Sequence, residues 1–377
     1  MACIKNAVIV GGGIGGMVAA IALQRQGIDV HVVEAARRED QLGTGINLQN
    51  NALRALEQLG LLQECVAEGF GWETITNRDK DGNVINSFGL PWAKHPGRPG
   101  ALGIMRTTFA DILSRNALAA GVRISYQTKI VRLAQDGDGV EVELSNGMTE
   151  DTDLLVAADG VYSQIRGMVF GEEHQPFYAG QGVWRYTVPR PKSLDGFTMF
   201  RTAEGNSVGF LPLSEETAYY FYLETSIEPL RVERDKLAGE LVSRLAPFDA
   251  TEVRDAVGRM KDGWHISYRS FDILLMPAPW HRGRVVLLGD AAHSLTPQLT
   301  SGGGMAIEDA VVLAEELETH AALDAALAAY SERRERRVTL IYENSYRICE
   351  LEKQKSASGA EATQLMIDSF TFLDSPY

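Results

Sequence analysis

The sequence predicts an α/β fold in which a sheet-and-helix domain is interrupted by a β-rich insertion and followed by a helical C-terminal segment. Three observations lead there. A strand, glycine turn, helix and second strand open the chain over Ala7–Glu34; an apolar strand runs into a further glycine turn at Arg284–Asp290; and from about Gly171 to Trp280 the pattern becomes strand-rich and aromatic. At 377 residues the chain is long for one ordinary domain and sufficient for two.

The elements follow in order. Ala7–Val10 is a short apolar run, Met17–Gln26 is helical and ends at Gly27, and Asp29–Glu34 is a strand, a βαβ-like opening of about 30 residues. Asn50–Leu59 carries Leu53, Leu56 and Leu59 on one side of a helix stopped by Gly60. Residues 71–100 alternate Gly, Pro, Trp and charges, as strands and loops do. Thr107–Ala120 is helical, Val122–Tyr126, Lys129–Ala134 and Gly139–Leu144 form a small strand set, and Asp153–Ala157 is another apolar strand. One helical piece, Arg234–Leu245, interrupts the β-rich stretch. A long helix starts near Gly304; the charged stretch Ser331–Arg337 is expected in a surface or interface element, and its Arg333–Arg337 run reads as a solvated helix face.

Composition excludes several classes. A net charge of -14, from 50 acidic and 36 basic side chains, repels nucleic acid and anionic lipid. The uncharged stretch Ala7–Leu23 follows Lys5 as a signal peptide would, but five of its 17 residues are glycine. It suits a tight turn, so no membrane partner is expected. Three scattered cysteines, with no CxxC pair, indicate a reducing compartment and no zinc or other metal site. The expectation is a cytoplasmic monomer or homodimer.

The motifs carry the chemistry. Gly11-x-Gly13-x-x-Gly16 lies between strand and helix, with Glu34 ending the next strand. Such glycines permit a tight turn and close approach to a pyrophosphate, while the helix start offers free N–H groups and partial positive charge. Glu34 would accept hydrogen bonds from an adenosine ribose and disfavour a 2′-phosphate. This motif alone does not separate NAD from FAD. In the second, Arg284–Leu288 runs into Gly289-Asp290, then Ala-Ala-His293-Ser-Leu-Thr-Pro297, then Gly302-Gly-Gly-Met305 opening a helix. A carboxylate at a strand end can bind a ribityl hydroxyl, and a glycine helix start can aim N–H groups at an electron-rich ring. Asp159-Gly160 follows a third apolar strand.

These three motifs, in this order between residue 8 and about 315, resemble those of the para-hydroxybenzoate hydroxylase family, the class A flavoprotein monooxygenases. The resemblance implies a discontinuous Rossmann-like, glutathione-reductase-type FAD-binding domain and a β-rich substrate domain. We place the first over 1–70, 101–170 and 281–350, the second over 71–100 and 171–280, and a C-terminal segment over 351–377. It also implies non-covalent FAD, NAD(P)H as co-substrate without choosing NADH or NADPH, and dioxygen. The reaction would hydroxylate a small aromatic or heteroaromatic compound, phenol-like or hydroxypyridine-like, through a flavin C4a-hydroperoxide. Carried over residue by residue, Gly11, Gly13, Ile14 and Gly16 would cradle the pyrophosphate. Glu34 and Ala35 would meet the adenosine, and Arg37 or Arg38 the pyrophosphate. Arg106 would reach the FAD phosphate or ribityl region, Ile130 the adenine, and Asp290 the ribityl chain, with Asp159 as the third motif's carboxylate. Gly45, Ile46 and Asn47 would lie along the isoalloxazine; Gly303, Gly304 and Met305 would present N–H groups to flavin N1 and O2; and Pro297 would border its oxygen-activating face.

Plainer readings stand beside these. His293 reads as a structural hydrogen-bonding residue, and Glu308 and Asp309 as first-turn acids favoured by the helix dipole. Trp184-Arg185 either lines the substrate lobe or anchors its sheet. Alternation in Tyr219–Glu224 sets Tyr220, Tyr222 and Glu224 on one face and Tyr219, Phe221 and Leu223 on the other. The first face is more polar and is expected over the flavin, so Tyr220, supported by Tyr222, would orient or deprotonate substrate; one residue of slippage would swap the faces. Tyr220 roughly matches an active-site tyrosine of the urate type. Three positions depart from the family. Gly302-Gly-Gly-Met305 replaces its glycine–asparagine pattern, Asn47 stands where the hydroxynicotinate type has histidine, and Ser207 where the urate type has its substrate-binding arginine. The alternatives are another flavoprotein oxidoreductase of this fold (a reductase, epoxidase or halogenase) or a non-catalytic nucleotide-binding protein.

Overall fold

The computed structural model describes residues 4–38, 43–90, 95–260, 266–354 and 359–377. A six-stranded sheet collects strands from three distant stretches, in the order His281–Arg282, Val285–Leu287, Leu154–Ala157, Asn6–Val10, Asp29–Val33, Arg123–Ser125. All neighbours are parallel except the His281–Arg282 edge. Leu154–Ala157 and Val285–Leu287 are buried throughout, as strands of a sheet covered on both faces must be. Helix Ile14–Arg25 packs between Gly302–Thr319 and Arg106–Ala120.

One grouping differs from expectation. Arg123–Ser125 joins the parallel sheet beside Asp29–Val33, because helix Arg106–Ala120 supplies the crossover that a parallel neighbour needs. The antiparallel set is instead Ile130–Gln135, Val140–Leu144 and an additional strand, Thr149–Thr152.

An eight-stranded sheet runs His293–Ser294, Ile266–Leu275, Phe177–Pro189, Thr217–Thr225, Ser207–Pro212, Phe197–Arg201, Thr74–Asp79, Val84–Gly89. One face is covered by helices Leu237–Leu245 and Thr251–Gly258, enclosing a second core that includes Trp184, Phe210, Tyr220, Leu241 and Phe248. The shorter helix has only Val253 and Ala256 buried, too little apolar periodicity to announce it in the sequence. The other face turns toward the main core, where Leu211, Tyr219, Phe197 and Phe221 pack. A small sheet, Gly45–Gln49, Ala101–Met105 and Phe70–Trp72, lies between the two large ones in the chain's connectivity.

The charged run in helix Leu323–Lys353 is not a solvated face. Residues 334 and 337 share the buried side with Leu327, Tyr330 and Ile341, at helical spacing. Arg334 Nε donates to Asp309 Oδ1 at 2.7 Å, and Arg337 donates twice to Glu308, both at 2.9 Å. Asp309 Oδ2 also accepts the Gly289 N–H at 3.0 Å and lies 2.6 Å from His293 Nε2. Glu308 and Asp309 are therefore buried partners of the last long helix and not merely first-turn acids, while His293 is structural, as expected.

This cluster generates a test. Asp309→Asn keeps the volume and removes a charge whose buried partners stay behind, so stability should fall by about 3–5 kcal/mol, read from the urea midpoint. Burial pushes the Asp309 carboxyl up, but His293 and Arg334 outweigh it and hold it at about 2, below its ordinary 3.8. A depressed carboxyl contributes stability above the unfolded value near ~3.9 and loses it as pH falls through the folded one. The two proteins should thus differ most at neutral pH and converge near pH ~2. Equal midpoints at neutral pH would contradict the role given to this carboxylate.

Candidate active site

The first loop is built by steric necessity. Gly11 has φ +107°, donates its N–H to Val33 O at 2.8 Å, and lies so close to Ala158 O that a Cβ would overlap it. Gly13 is the N-cap of helix Ile14–Arg25, has no side-chain cap, and a Cβ there would have no neighbour within 4 Å. No side chain caps or crowds the helix start at Gly13, the arrangement that leaves first-turn N–H groups for a phosphate. Glu34 accepts the N–H of Gly12 and of Ala36, each at 2.6 Å, which holds its carboxylate beside the loop. Ala35 and Arg37 are exposed next to it, and Arg38 is 3.6 Å from Asp111. Ile130 is buried at a strand start and borders a surface cavity of about 510 Å³ shared with Ser163 and Gln164.

Asp159 has both oxygens engaged. Ser163 Oγ donates to one at 2.5 Å and the Ile165 N–H to the other at 3.2 Å. Burial raises its carboxyl above the ordinary range. These bonds tie the turn at Asp159 to the start of helix Gln164–Phe170.

The second motif forms the floor. Gly289 takes φ +63°, and Asp290 follows with its side chain open to solvent yet enclosed by protein on most sides, as at the bottom of a cleft. Burial raises the Asp290 carboxyl, while His293 and Arg106 pull it down and Asp309 pushes it up. Pro297 opens a single 3-10 turn, Pro297–Leu299, followed by Thr300 at φ 49°. Asn47 Nδ2 donates to Thr300 Oγ1 at 3.0 Å and Gln49 Nε2 to Leu299 O at 2.6 Å, tying this turn to strand Gly45–Gln49. Helix Gly302–Thr319 starts with no side-chain cap, and Ser301 Oγ donates to Leu299 O at 2.8 Å. Met305 is a correction: its N–H already donates to Ser301 O at 2.8 Å, and its side chain is fully buried. The free first-turn donors are those of Gly302, Gly303 and Gly304, one residue earlier than expected. Ile46 packs against Gly303.

The third wall overturns the assignment of Tyr220 and Tyr222. Tyr220 is buried in the helix-covered core and donates its hydroxyl to Glu252 O at 3.0 Å. Burial, with Glu252 and Asp255 nearby, drives its phenol far above the ordinary value. Tyr222 packs against the same core. Glu224 gave that face its polarity, but Trp184 Nε1 donates to it at 2.5 Å and Arg244 Nε at 2.7 Å, the guanidinium lying 4.6 Å from the Trp184 ring centroid. Polar groups satisfied by a covering helix made the face look solvent-lined. Trp184 is accordingly the sheet anchor.

The residues missed are Tyr219 and Arg185. The Tyr219 ring packs on Gly45, where a Cβ would overlap it, and its hydroxyl has no partner among the described residues. Burial raises this phenol, and Arg185 and Arg106 lower it. Arg106 thus lies within electrostatic reach of Tyr219, Arg185 and Asp290 alike. The available signal was the amphipathic Leu237–Leu245 segment, which requires one sheet face for itself.

These residues fit FAD. The helix after Gly13 starts without a side-chain cap, Glu34 is held beside it, and a second uncapped glycine start follows Thr300, which is tied to Asn47, whose buried Oδ1 has no partner among the described residues. Residues 5–345 match the family model described as FAD binding domain. The FAD-dependent urate hydroxylase of Klebsiella pneumoniae is 31% identical over 368 residues, covering 95% of this chain and 93% of that protein. The 2-heptyl-3-hydroxy-4(1H)-quinolone synthase of Pseudomonas aeruginosa is 30% identical over 346 residues, 90% of this chain and 87% of its own. Klebsiella pneumoniae HpxO, solved with FAD and uric acid, superposes with a TM-score of 0.87 at 28% identity, covering 98% of this chain and 97% of that one. Motifs, cleft and relatives agree: the chain belongs to the FAD-binding-domain family, among the FAD-dependent monooxygenases similar to para-hydroxybenzoate hydroxylase.

Proposed function

We propose that this monooxygenase hydroxylates a small planar heteroaromatic compound held between the flavin segment Gly45–Asn47 and the Tyr219 face of the large sheet, with NAD(P)H as electron donor. The observation that carries this is the seating of Tyr219 directly on Gly45. Along the same face Tyr219, Phe221 and Phe197 follow one another at centroid distances of 5.9 and 5.7 Å, and Trp72 of the small sheet stacks on Phe197 at 5.7 Å. Such an aromatic wall favours a flat, apolar-faced ligand. Two relatives named for urate and for a quinolone, both heteroaromatic, point the same way. The residue ranges set out above serve as cofactor and substrate domains in this reading. A cytoplasmic setting agrees with the buried free thiols of Cys65 and Cys349 and with the absence, among the described residues, of a helix able to cross a membrane.

FAD, when bound and reduced, supplies the activation of dioxygen. The chain's own residues do the rest. Ile14–Gly16 and Glu34 hold the dinucleotide, Asp290 fixes the ribityl region, and the N–H groups of Gly302–Gly304 offer positive charge to the ring. The aromatic wall excludes water, and the Tyr219 hydroxyl hydrogen-bonds the substrate oxygen.

Two outcomes are expected. Asp290→Ala removes a charge-assisted hydrogen bond worth about 1.5–3 kcal/mol, so FAD should dissociate more readily, measured by equilibrium dialysis of the yellow holoenzyme. Undiminished FAD affinity would argue against Asp290 as the ribityl ligand. Tyr219→Phe should lower hydroxylated product per NAD(P)H oxidised with FAD content unchanged, whereas Tyr220→Phe should leave that ratio intact. The reverse pattern, or no product with any phenol, hydroxypyridine or quinolone tried, would sink this reading.

A further inference from the structure

Arg185 sits mid-strand in Phe177–Pro189, opposite Phe221 on one side and Ser267 on the other. Alternation puts its side chain on the cleft face with Phe221 and, one pair along, Tyr219. Its guanidinium has no hydrogen bond and no carboxylate within salt-bridge distance among the described residues. The charged or titratable groups felt there are Tyr219, Arg106 and Arg269. Arg269 shares that face, opposite Val183, so two of the three neighbours repeat the positive charge.

The buried arginines show how this protein treats a guanidinium inside the fold. Arg98 holds Glu57, Arg334 holds Asp309, and Arg337 holds Glu308. Arg166, without a carboxylate, donates to three carbonyls, of His174, Ala291 and Val161. No carboxylate is among the groups that act on Arg185. Enclosure pushes the Arg185 guanidinium below its ordinary value, yet an arginine does not give up its proton in a protein. A half-buried cation with no counterion among the described residues, set on a sheet face beside Tyr219, is ready to receive an anion that enters.

Building on the functional reading above, we propose that Arg185 binds the substrate as an anion. It selects heteroaromatic compounds that carry a carboxylate, phenolate or enolate oxygen, and the Tyr219 hydroxyl donates to the same oxygen. The planar guanidinium suits a two-point grip on a carboxylate or on two neighbouring ring oxygens, and a lysine would keep the charge without that geometry. The inference concerns recognition and leaves the oxidation step unchanged.

The test uses FAD-loaded enzyme and matched aromatic pairs: benzoate with benzamide, nicotinate with nicotinamide, quinoline-2-carboxylate with its amide. Binding is read from perturbation of the flavin absorbance. Wild type should bind the anion of a pair about tenfold or more tightly than the amide, as one charge-assisted contact allows. In Arg185→Met that preference should vanish while amide binding holds, and in Arg185→Lys part of it should remain. Equal binding of both members by wild type, or a preference that survives in Arg185→Met, overturns the proposal. An equal loss of both members would instead mark Arg185 as a structural residue, and overturns it too. If Arg185→Met fails to retain FAD, wild type and Arg185→Lys decide the matter, since undiminished preference in the lysine variant excludes a two-point grip. FAD content and hydroxylated product are scored separately. Their absence would refute the functional reading, whereas a working hydroxylase indifferent to charge refutes only the role of Arg185.

Discussion

Asp309 is the carboxylate on which the cofactor side of the molecule depends. It receives Gly289 from the second motif, His293 from the next turn and Arg334 from the long C-terminal helix. Beside it Glu308 receives Arg337, which also donates to Leu373 O at the last helix. A buried charge network of this kind is stable only when every member is satisfied. The glycines that start helix Gly302–Thr319 have no side chains to fix their own position. Their placement comes from below, through the network that locks the rest of the helix to strand end, turn and C-terminal segment.

The large sheet divides its two faces by chemistry. On one, Glu224 is consumed by Trp184 and Arg244 under helix Leu237–Leu245, and the tyrosines are packing residues. On the other, Tyr219 packs on Gly45, and Arg185, on the same face, has no partner among the described residues. A chain with net charge -14 thereby carries positive charge on this inner face. Net charge governs long-range encounter, whereas the few groups lining a cleft govern what is held there.

Departures from the family pattern acquire physical content in this frame. Ser207, where the urate type has its arginine, lies on the cleft face opposite Arg201, whose Nη1 donates to Ser207 Oγ at 3.2 Å. Positive charge is thus present one strand over. Asn47, in place of the hydroxynicotinate type's histidine, spends its amide N–H on Thr300 and so fixes the turn that begins at Pro297. Neither change empties its position; each assigns it a different local task.

By itself the sequence determined the α/β class, the two glycine-started helices and the acidic ends of their partner strands, because each rests on backbone sterics and local spacing, while FAD in place of NAD followed from the motifs' resemblance to the flavoprotein monooxygenases. Gly11, Gly13, Glu34 and Asp290 are legible for that reason. What lay beyond it were features set by distant packing. Strand alternation correctly separated Tyr219 from Tyr220, but which of the two faces the cleft depended on where helices Leu237–Leu245 and Thr251–Gly258 dock. The helical spacing of Arg334 and Arg337 was visible, yet their burial depended on carboxylates about 25 to 29 positions away in the chain. Met305 was displaced from its expected role by one hydrogen bond to Ser301. Periodicity tells which residues share a side, and only the tertiary structure decides which side meets the cofactor, because a face acquires its environment from elements that the local pattern does not contain.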